Sequence, residues 1–263
     1  MPPSSIPTLS AADAAIDRDY RRNRLRVFLG IFLGYAGYYL VRNNLALAIP
    51  DILREYPQYS KAQLGLALTG LSLAYGVSKF LMGAVSDRSN PKYFLPLGLL
   101  LSCAIMATTG LVKAVYSSLA ILVALQVLNG WVQGMGWPPC GKTMVHWFST
   151  RERGLTVSVW NVSHNVGGAL VANFAFLGVM LFQDWGAKFY FNALIASVLA
   201  VLVFVLMRDT PQSVGLPPVE DYKNDYPPDY SADHERTFTF REIFFQHVLE
   251  EDLTIGEGAL AVG

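Results

Sequence analysis

Six long apolar stretches constrain this chain more than any other feature of its sequence. Each is long enough to cross about 30 Å of hydrocarbon as an α-helix that rises about 1.5 Å per residue. Hydrophobic residues make up 52% of the chain and charged residues 15%, whereas a membrane barrel would show shorter, alternating segments. The stretches are Val27–Ile49, Ala62–Val85, Tyr93–Val112, Leu119–Met144, Leu155–Phe182 and Phe189–Met207. We therefore predict an all-α membrane protein with a six-helix transmembrane bundle over residues 27–207.

The distribution of basic residues predicts the orientation of these spans. Arginine and lysine concentrate before the first span and in the loops that follow the second, fourth and sixth spans. By the positive-inside rule these segments are cytoplasmic. Both termini are then cytoplasmic, with residues 1–26 as an N-terminal tail. The formal net charge is +0, which gives no reason to expect nucleic acid as a partner.

One arginine lies within the first apolar stretch, close to three tyrosines. At about 100° per residue they share one face of a continuous helix: Tyr35, Tyr38, Tyr39 and Arg42. A charge in the bilayer interior costs from ~3 to more than ~10 kcal/mol, so this face is expected to line a cavity or the bundle interior. Guanidinium groups bind phosphate or carboxylate with two parallel hydrogen bonds. The alternative is that Arg42 extends outward to the bilayer surface, since Pro50 lies near the end of the helix.

Lys79 and His164 place further cationic groups inside the predicted spans. Lys79 lies ~12 Å inside the boundary marked by Asp87, and His164 lies ~15 Å along the fifth span. Each has a structural alternative: the lysine could extend to the headgroups, and the histidine could be neutral and bonded to a neighbouring helix. Asn161 shares a side with His164. Trp137 ends a polar stripe on the fourth span, where a cavity wall and simple packing are both open.

The spans contain no aspartate or glutamate. A proton- or sodium-coupled carrier usually needs an intramembrane carboxylate, so an anionic substrate is the better expectation. Cys103 and Cys140 lie within spans and lack the spacing of metal ligands. The sequence also lacks a nucleophile constellation and a glycine-rich phosphate loop. We expect no metal, no cofactor and no enzymatic activity.

Short motifs along the chain carry a resemblance to a known family. They are Leu29–Phe32, Tyr38–Arg42, Met82–Pro91, Gln133–Gly141, Val159–Asn161, His164–Gly168 and Arg208–Ser213. On these residues the chain from Arg24 to Leu249 resembles the N-terminal half of the organophosphate:phosphate antiporters, a family within the major facilitator superfamily. The resemblance covers all six predicted spans.

The resemblance implies the N-terminal bundle of a major facilitator fold in the inner (plasma) membrane. It implies exchange of cytoplasmic inorganic phosphate for an external organophosphate, with glycerol-3-phosphate favoured, by alternating access. The residues that match the family's phosphate-site positions are Arg42, Lys79 and His164. Those at cavity-facing or neighbouring positions are Tyr35, Tyr38, Tyr39, Asn161 and Trp137. Asp87 and Arg88 match the conformational loop between the second and third helices, although Ser89–Pro91 departs from the commoner form of that loop.

Beyond Met207 the composition changes to charged residues, proline and tyrosine. Residues 208–249 are typical of a cytoplasmic connector, and residues 250–263 form a short, acidic and then Gly/Ala-rich tail that cannot span a membrane. The family continues into a second bundle, which the sequence predicts to be absent here, with the tail as an aberrant ending. Transport would then need a second copy of this chain or a separate C-terminal half. The alternatives are a sugar-phosphate sensor, as some relatives of these carriers are, and an inactive fragment.

Overall fold

The computed structural model describes residues 11–226, and over that range the chain is helical without any strand. The α-helices are α1 Ala11–Leu40, α2 Asn44–Glu55, α3 Lys61–Asp87, α4 Pro91–Leu111, α5 Leu119–Gln133, α6 Trp137–Trp147, α7 Thr150–Phe182, α8 Ala187–Leu206 and α9 Val219–Lys223, with short 3₁₀ helices at Lys113–Ser117 and Gln212–Val214. The predicted all-α class is confirmed. Residues 1–10 and 227–263, and with them most of the predicted connector and the whole predicted tail, lie outside the described residues.

Five helical stretches of the described chain are long and apolar enough to cross a membrane. They are Lys61–Asp87, Pro91–Leu111, Leu119–Trp147, Thr150–Phe182 and Ala187–Leu206. They correspond to the second to sixth predicted spans.

The first predicted span differs from the expected continuous helix. The structure divides it into α1 and α2, with a break at 41–43. α1 also begins at Ala11 and runs without interruption from the predicted tail into the membrane.

Local sequence signals explain where the spanning helices begin. Ser60 precedes α3, where its hydroxyl accepts from the Gln63 backbone N–H at 3.2 Å and the Gln63 side chain accepts from the Ser60 N–H at 2.8 Å. The Asn90 side chain accepts from the Lys92 N–H at 2.9 Å at the start of α4, and Pro91 occupies the first helical position, where no hydrogen bond is lost. These caps fix the ends of two spans without help from distant residues.

The fourth predicted span is also broken, between α5 and α6. α5 ends at Gln133 and α6 begins at Trp137, which two prolines follow. A proline has no N–H to continue the helical ladder from the preceding turn, so the chain restarts as a new helix. The short turn at 134–136 packs against α1, because Gly136 lies directly beside the Tyr38 ring.

α1 occupies the middle of the bundle and packs against α4, α6, α7 and α8, while α3 packs against α5 and α6. Two glycines permit the closest crossings. Gly130 of α5 lies against the backbone of Leu71, and Gly167 of α7 lies against the Ala36 carbonyl group of α1. Such small-residue contacts drive helix association in membranes, where lipid provides no hydrophobic force between helices.

One end of the bundle carries the described part of the connector, and we call it the N-terminal end because α1 begins there. Tyr20 of α1 stacks on Tyr222 of α9 with ring centroids 3.8 Å apart, and the Tyr20 hydroxyl donates to the Pro217 carbonyl at 3.0 Å. The Tyr222 hydroxyl in turn bonds to Asp17. Asp225 accepts from the Arg151 backbone N–H at 3.0 Å, at the start of α7. Residues 208–226 are therefore packed against the bundle.

Candidate anion-binding site

The break between α1 and α2 is held open by side chains of α5. The Asn129 amide donates to the Val41 carbonyl at 3.1 Å, and the Gln133 amide donates to the Tyr38 carbonyl at 3.2 Å. Both amides are buried, at 0% and 1% exposure. Ser102 of α4 links them, since its hydroxyl donates to Asn129 and accepts from Gln133 at 2.9 Å. An unpaired backbone carbonyl inside a membrane costs several kcal/mol. Asn129 removes that cost for the Val41 carbonyl, and Gln133 adds a second donor to the Tyr38 carbonyl, which also accepts from the Val41 N–H at 3.3 Å.

Arg42 lies in the break and is half-buried. Its Nε donates to the Gln133 side-chain oxygen at 3.1 Å. Its guanidinium carbon lies 4.6 Å from the Tyr39 ring centroid and 4.1 Å from the Tyr75 ring centroid. Within residues 11–226 no acidic side chain pairs with it. Neutral groups alone therefore surround a full positive charge.

Lys79 lies on α3, one turn after Tyr75. Its Nζ is 6.0 Å from the centroid of the Tyr75 ring and 5.2 Å from that of the Trp137 ring, and no salt bridge holds it within the described chain. Arg42 and Lys79 thus share contact with one aromatic ring. We call Arg42, Lys79 and Tyr75 the cation cluster.

Aromatic contacts connect the cation cluster to α7. The Tyr39 ring, which contacts Arg42, also lies 5.4 Å from the His164 ring. Tyr35 lies 4.7 Å from Trp160 and 5.5 Å from Tyr39, again between ring centroids. The Trp160 N–H donates to the Ile31 carbonyl at 3.1 Å, which fixes its indole against α1.

The structure brings most of the predicted site residues together but separates others. Tyr35, Tyr39, His164 and Trp137 contact one another or the cations through the rings described above. Tyr38 is fully buried, and its hydroxyl donates to the Leu95 carbonyl at 3.1 Å, so it faces α4 and not the cluster. Tyr38 lies on the same continuous helix as Tyr35 and Tyr39, at one edge of the predicted face, and the break at 41–43 separates only Arg42 from that helix.

Asn161 lies on α7, and the predicted loop residues lie at the end of α3. Asn161 is exposed on α7. Asp87 is the last residue of α3, and Arg88 follows it as the C-terminal cap. The side chain that caps α4 is that of Asn90, the next residue but one after Arg88.

An open groove of about 970 Å³ leads from the cation cluster towards the N-terminal end of the bundle. Lys79 and Trp137 border one part of it, and Asp87 and Arg153 border another. Lys142, which also lines the groove, donates to the Asp87 and Ser89 carbonyls, both at 2.9 Å. Its charge therefore rests against the negative end of the α3 dipole.

Three residues around the site lie outside the set that the sequence predicts for it. Tyr75 and Gln133 contact Arg42 directly, and Lys142 closes the end of α3. A signal existed for each: Tyr75 precedes Lys79 by one turn, Gln133 belongs to the polar stripe of the fourth span, and Lys142 is a lysine within that apolar stretch.

The described chain combines five helical stretches long and apolar enough to cross a membrane with an interrupted helix, α1–α2, and with a groove that Lys79 borders. A sequence profile of the Major Facilitator Superfamily matches residues 31–255, and the chain belongs to that superfamily. A glycerol-3-phosphate transporter of Bacillus subtilis is 51% identical over 237 residues, which cover 90% of this chain and 53% of that protein. One of Haemophilus influenzae is 47% identical, covering 90% of this chain and 52% of that protein.

Two further comparisons place the chain more broadly. A membrane sensor protein of Escherichia coli is 35% identical, covering 89% of this chain and 52% of that protein. The solved structure of a bacterial homologue of the human lysosomal transporter Spinster, inward-facing and unoccupied, aligns with a TM-score of 0.63 at 16% identity, covering 83% of this chain and 48% of that one. The structural match shows the fold alone. The chain spans about half the length of the curated relatives it matches.

Proposed function

We propose that this chain provides the N-terminal half of a carrier that moves glycerol-3-phosphate across the membrane in exchange for inorganic phosphate. The observation that carries the proposal is the cation cluster: Arg42 lies in the break of the first predicted span and Lys79 lies in α3, and no acid of the described chain pairs with either of them. Charges in that position are stable when an anion or a water-filled cavity accompanies them. The identities to two glycerol-3-phosphate transporters support this choice of anion.

The geometry supports binding through the phosphate group that both substrates share. The guanidinium of Arg42 offers charge-assisted hydrogen bonds to phosphate oxygens, and Lys79 adds a second charge from the groove. The hydroxyls of Tyr39 and Tyr75 are neutral donors beside the same charge. His164 lies next to Tyr39 and would contribute a ring N–H donor. The remaining predicted site residues, Tyr35, Tyr38, Asn161 and Trp137, would shape the cavity around these donors.

Transport would follow alternating access between two bundles with the substrate near their interface. Because the chain spans about half the length of its relatives, the second bundle would come from a C-terminal half or from a second copy of this chain. We place the N-terminal end of the bundle in the cytoplasm, with the inner membrane as the location. Asp87 and Arg88 would then lie at the cytoplasmic mouth of the groove and take part in its opening and closure.

The proposal is tested by uptake of labelled glycerol-3-phosphate into phosphate-loaded proteoliposomes. One set contains the 263-residue chain alone, and a second adds the C-terminal half of the Bacillus subtilis relative. Uptake by the chain alone means that a second copy completes the carrier, and uptake only with the added half means that a distinct half is required. The absence of phosphate-dependent uptake in both sets would overturn the proposal.

A sensor is the second candidate, favoured by the 35% identity to a membrane sensor protein. It is distinguished in the same vesicles. Saturable binding of glycerol-3-phosphate by the two-half assembly without flux favours sensing, and flux favours transport.

A further inference from the structure

Gln133 is the residue whose contacts determine how Arg42 is presented. Its side chain is 1% exposed and makes three hydrogen bonds. The amide nitrogen donates to the Tyr38 carbonyl at 3.2 Å and to the Ser102 hydroxyl at 2.9 Å, and the amide oxygen accepts from Arg42 Nε at 3.1 Å. Every donor of the amide therefore has a fixed acceptor, and its oxygen faces a donor.

These contacts permit one orientation of the amide. A rotation by 180° would bring the amide NH₂ against the Nε–H of Arg42 and the amide oxygen against the Tyr38 carbonyl oxygen. The first new contact would bring two donors together and the second two acceptors, inside a buried network where an unpaired polar group is costly. The oxygen of Gln133 is consequently locked towards Nε.

The fixed orientation of the Gln133 amide restricts how an anion can approach the guanidinium of Arg42. Two oxygens can bind an arginine side-on, through Nε and one Nη, or end-on, through both Nη groups. Gln133 occupies Nε, so the side-on edge is closed. The rings of Tyr39 and Tyr75 pack against the guanidinium and restrict its rotation.

We infer that Gln133 is a positioning residue for Arg42, which directs the two Nη groups of the arginine at the anion and imposes end-on recognition. The inference rests on the proposed function, because it concerns the same phosphate. It adds a role for α5, whose amide both holds the Tyr38 carbonyl at the break and orients the charge that the break carries. The helix break and the binding group are thereby joined by one side chain.

A double-mutant cycle on the 263-residue chain in lipid nanodiscs tests the inference, with labelled inorganic phosphate in equilibrium dialysis as the probe. Gln133→Leu should weaken phosphate binding about tenfold when Arg42 is present, the loss expected when a charge-assisted contact is misaligned. In an Arg42→Lys background, where no Nε exists, the same substitution should change binding less than twofold. Equal losses in both backgrounds would mean that Gln133 acts only on the fold, and the inference would fall.

Two further variants separate positioning from stability. Asn192→Leu removes another buried amide, which donates to the Val171 carbonyl at 3.3 Å and the Lys188 carbonyl at 2.9 Å. It should lower thermal stability as Gln133→Leu does while phosphate binding stays within twofold. If Gln133→Leu does not accumulate, Gln133→Asn enters the same cycle, because its shorter side chain withdraws the oxygen from Nε.

An independent readout distinguishes failure of this inference from failure of the proposed function. In chain labelled with ¹⁵N-arginine, the Nε–H signal of Arg42 should be protected from water exchange in the wild type and lose that protection in the Gln133 variant. Protection without any phosphate binding, by the chain alone and by the assembly with the added C-terminal half, would retain the orientation of Arg42 and refute the proposed function. Phosphate binding with an unprotected Nε–H would refute the orientation alone.

Discussion

At the scale of single residues, the environment of Arg42 is unusual because it is polar and aromatic but uncharged. A guanidinium paired with a carboxylate has little attraction left for a ligand, whereas one held by an amide oxygen and two rings keeps its full charge. The same holds for Lys79, which contacts the rings of Tyr75 and Trp137 and forms no salt bridge within the described residues. A charge without a counter-ion near the interior of a membrane protein is characteristic of a site that binds a ligand during function.

Replacement of Arg42 by lysine should weaken phosphate binding even though the charge is kept. The substitution removes one of two parallel charge-assisted hydrogen bonds, worth about 1.5–3 kcal/mol, so we expect affinity to fall roughly 10- to 100-fold. Equilibrium dialysis of labelled phosphate on the chain in nanodiscs provides the measurement. Arg54→Lys is the matched control, because the Arg54 side chain is 81% exposed and lies away from the cluster. Unchanged affinity in Arg42→Lys would contradict the two-bond geometry.

At the scale of helices, the sequence predicts well which segments form membrane-length helices. It predicts poorly whether each of those helices is continuous. Apolar length alone locates the spans, because the bilayer fixes how many residues a helix needs. The break at 41–43 is not visible in the first span, which contains no proline at that point. It depends on Asn129 and Gln133, which are 88 and 95 residues from the carbonyls they bind.

For the candidate site as well, some residues could be predicted from the local sequence and others depend on contacts between distant residues. Arg42, Lys79 and His164 stand out because charged or titratable groups are rare in apolar stretches. The separation of Tyr38 from the other tyrosines could not be predicted, because helical periodicity places it near them on the continuous helix α1. Its hydroxyl bonds to the Leu95 carbonyl, 57 residues away, and that contact directs it towards α4.

The crossing of α1 and α7 should be sensitive to one methyl group at Gly167 and insensitive at the adjacent Gly168. A Cβ at Gly167 would overlap the Ala36 carbonyl group and approach the Tyr39 Cβ at 2.9 Å, whereas a Cβ at Gly168 meets nothing within 4 Å. We expect Gly167→Ala to destabilise the bundle by about 1–3 kcal/mol. Gly168→Ala should be neutral or stabilising by up to ~1 kcal/mol, since alanine favours helix.

Thermal unfolding of the two glycine variants in detergent, followed by size-exclusion chromatography, makes this comparison. Equal midpoints would show that α7 can shift away from α1 without loss. Because Gly167 lies beside Tyr39, its variant should also weaken phosphate binding, and the Gly168 variant should not.

At the scale of the whole molecule, titratable side chains join the described part of the connector to α1 at the N-terminal end of the bundle. The hydrogen bond from Tyr222, with the Arg21 charge nearby, holds the pKa of Asp17 below its usual value. Burial and the same hydrogen bond raise the pKa of Tyr222 to about 12. The carboxylate therefore stabilises the folded state above its ordinary pKa of 3.8 and loses this effect in acid. The phenol stabilises it below 10.0 and loses this effect as pH rises towards 12.

We expect this pH range of stabilisation to appear as a pH-dependent difference in thermal midpoint between the wild type and Tyr222→Phe. The variant keeps a ring that can stack on Tyr20 but loses the hydroxyl that bonds to Asp17. The difference in thermal midpoint should be the same at pH 7 and pH 9, where the bond is intact, and smaller at pH 11. A difference that is constant up to pH 11 would show that the raised pKa of this hydroxyl does not contribute to stability.

The proposed orientation in the membrane can be tested with cysteines. The native Cys103 and Cys140 are buried, at 3% and 0% exposure, so they should not react with a membrane-impermeant maleimide. Lys113→Cys and Gln212→Cys place exposed thiols at opposite ends of the bundle. In intact cells only the cysteine at position 113 should react, and the cysteine at position 212 should react after the membrane is opened. The reverse pattern would invert the topology.

The broken first span also has a consequence for how the protein is made. Until α5 arrives, the Val41 carbonyl lacks the Asn129 amide, and the Tyr38 carbonyl has the Val41 N–H but lacks the Gln133 amide. An unpaired carbonyl in hydrocarbon costs several kcal/mol. The first helix to leave the ribosome therefore cannot reach its final shape when it enters the lipid. It must wait, as a straighter helix or beside the insertion machinery, while some ninety further residues are synthesised. Assembly of this bundle is thus governed by its fourth span, and a nascent chain halted before Asn129 should present a first span that is still open to water at the break.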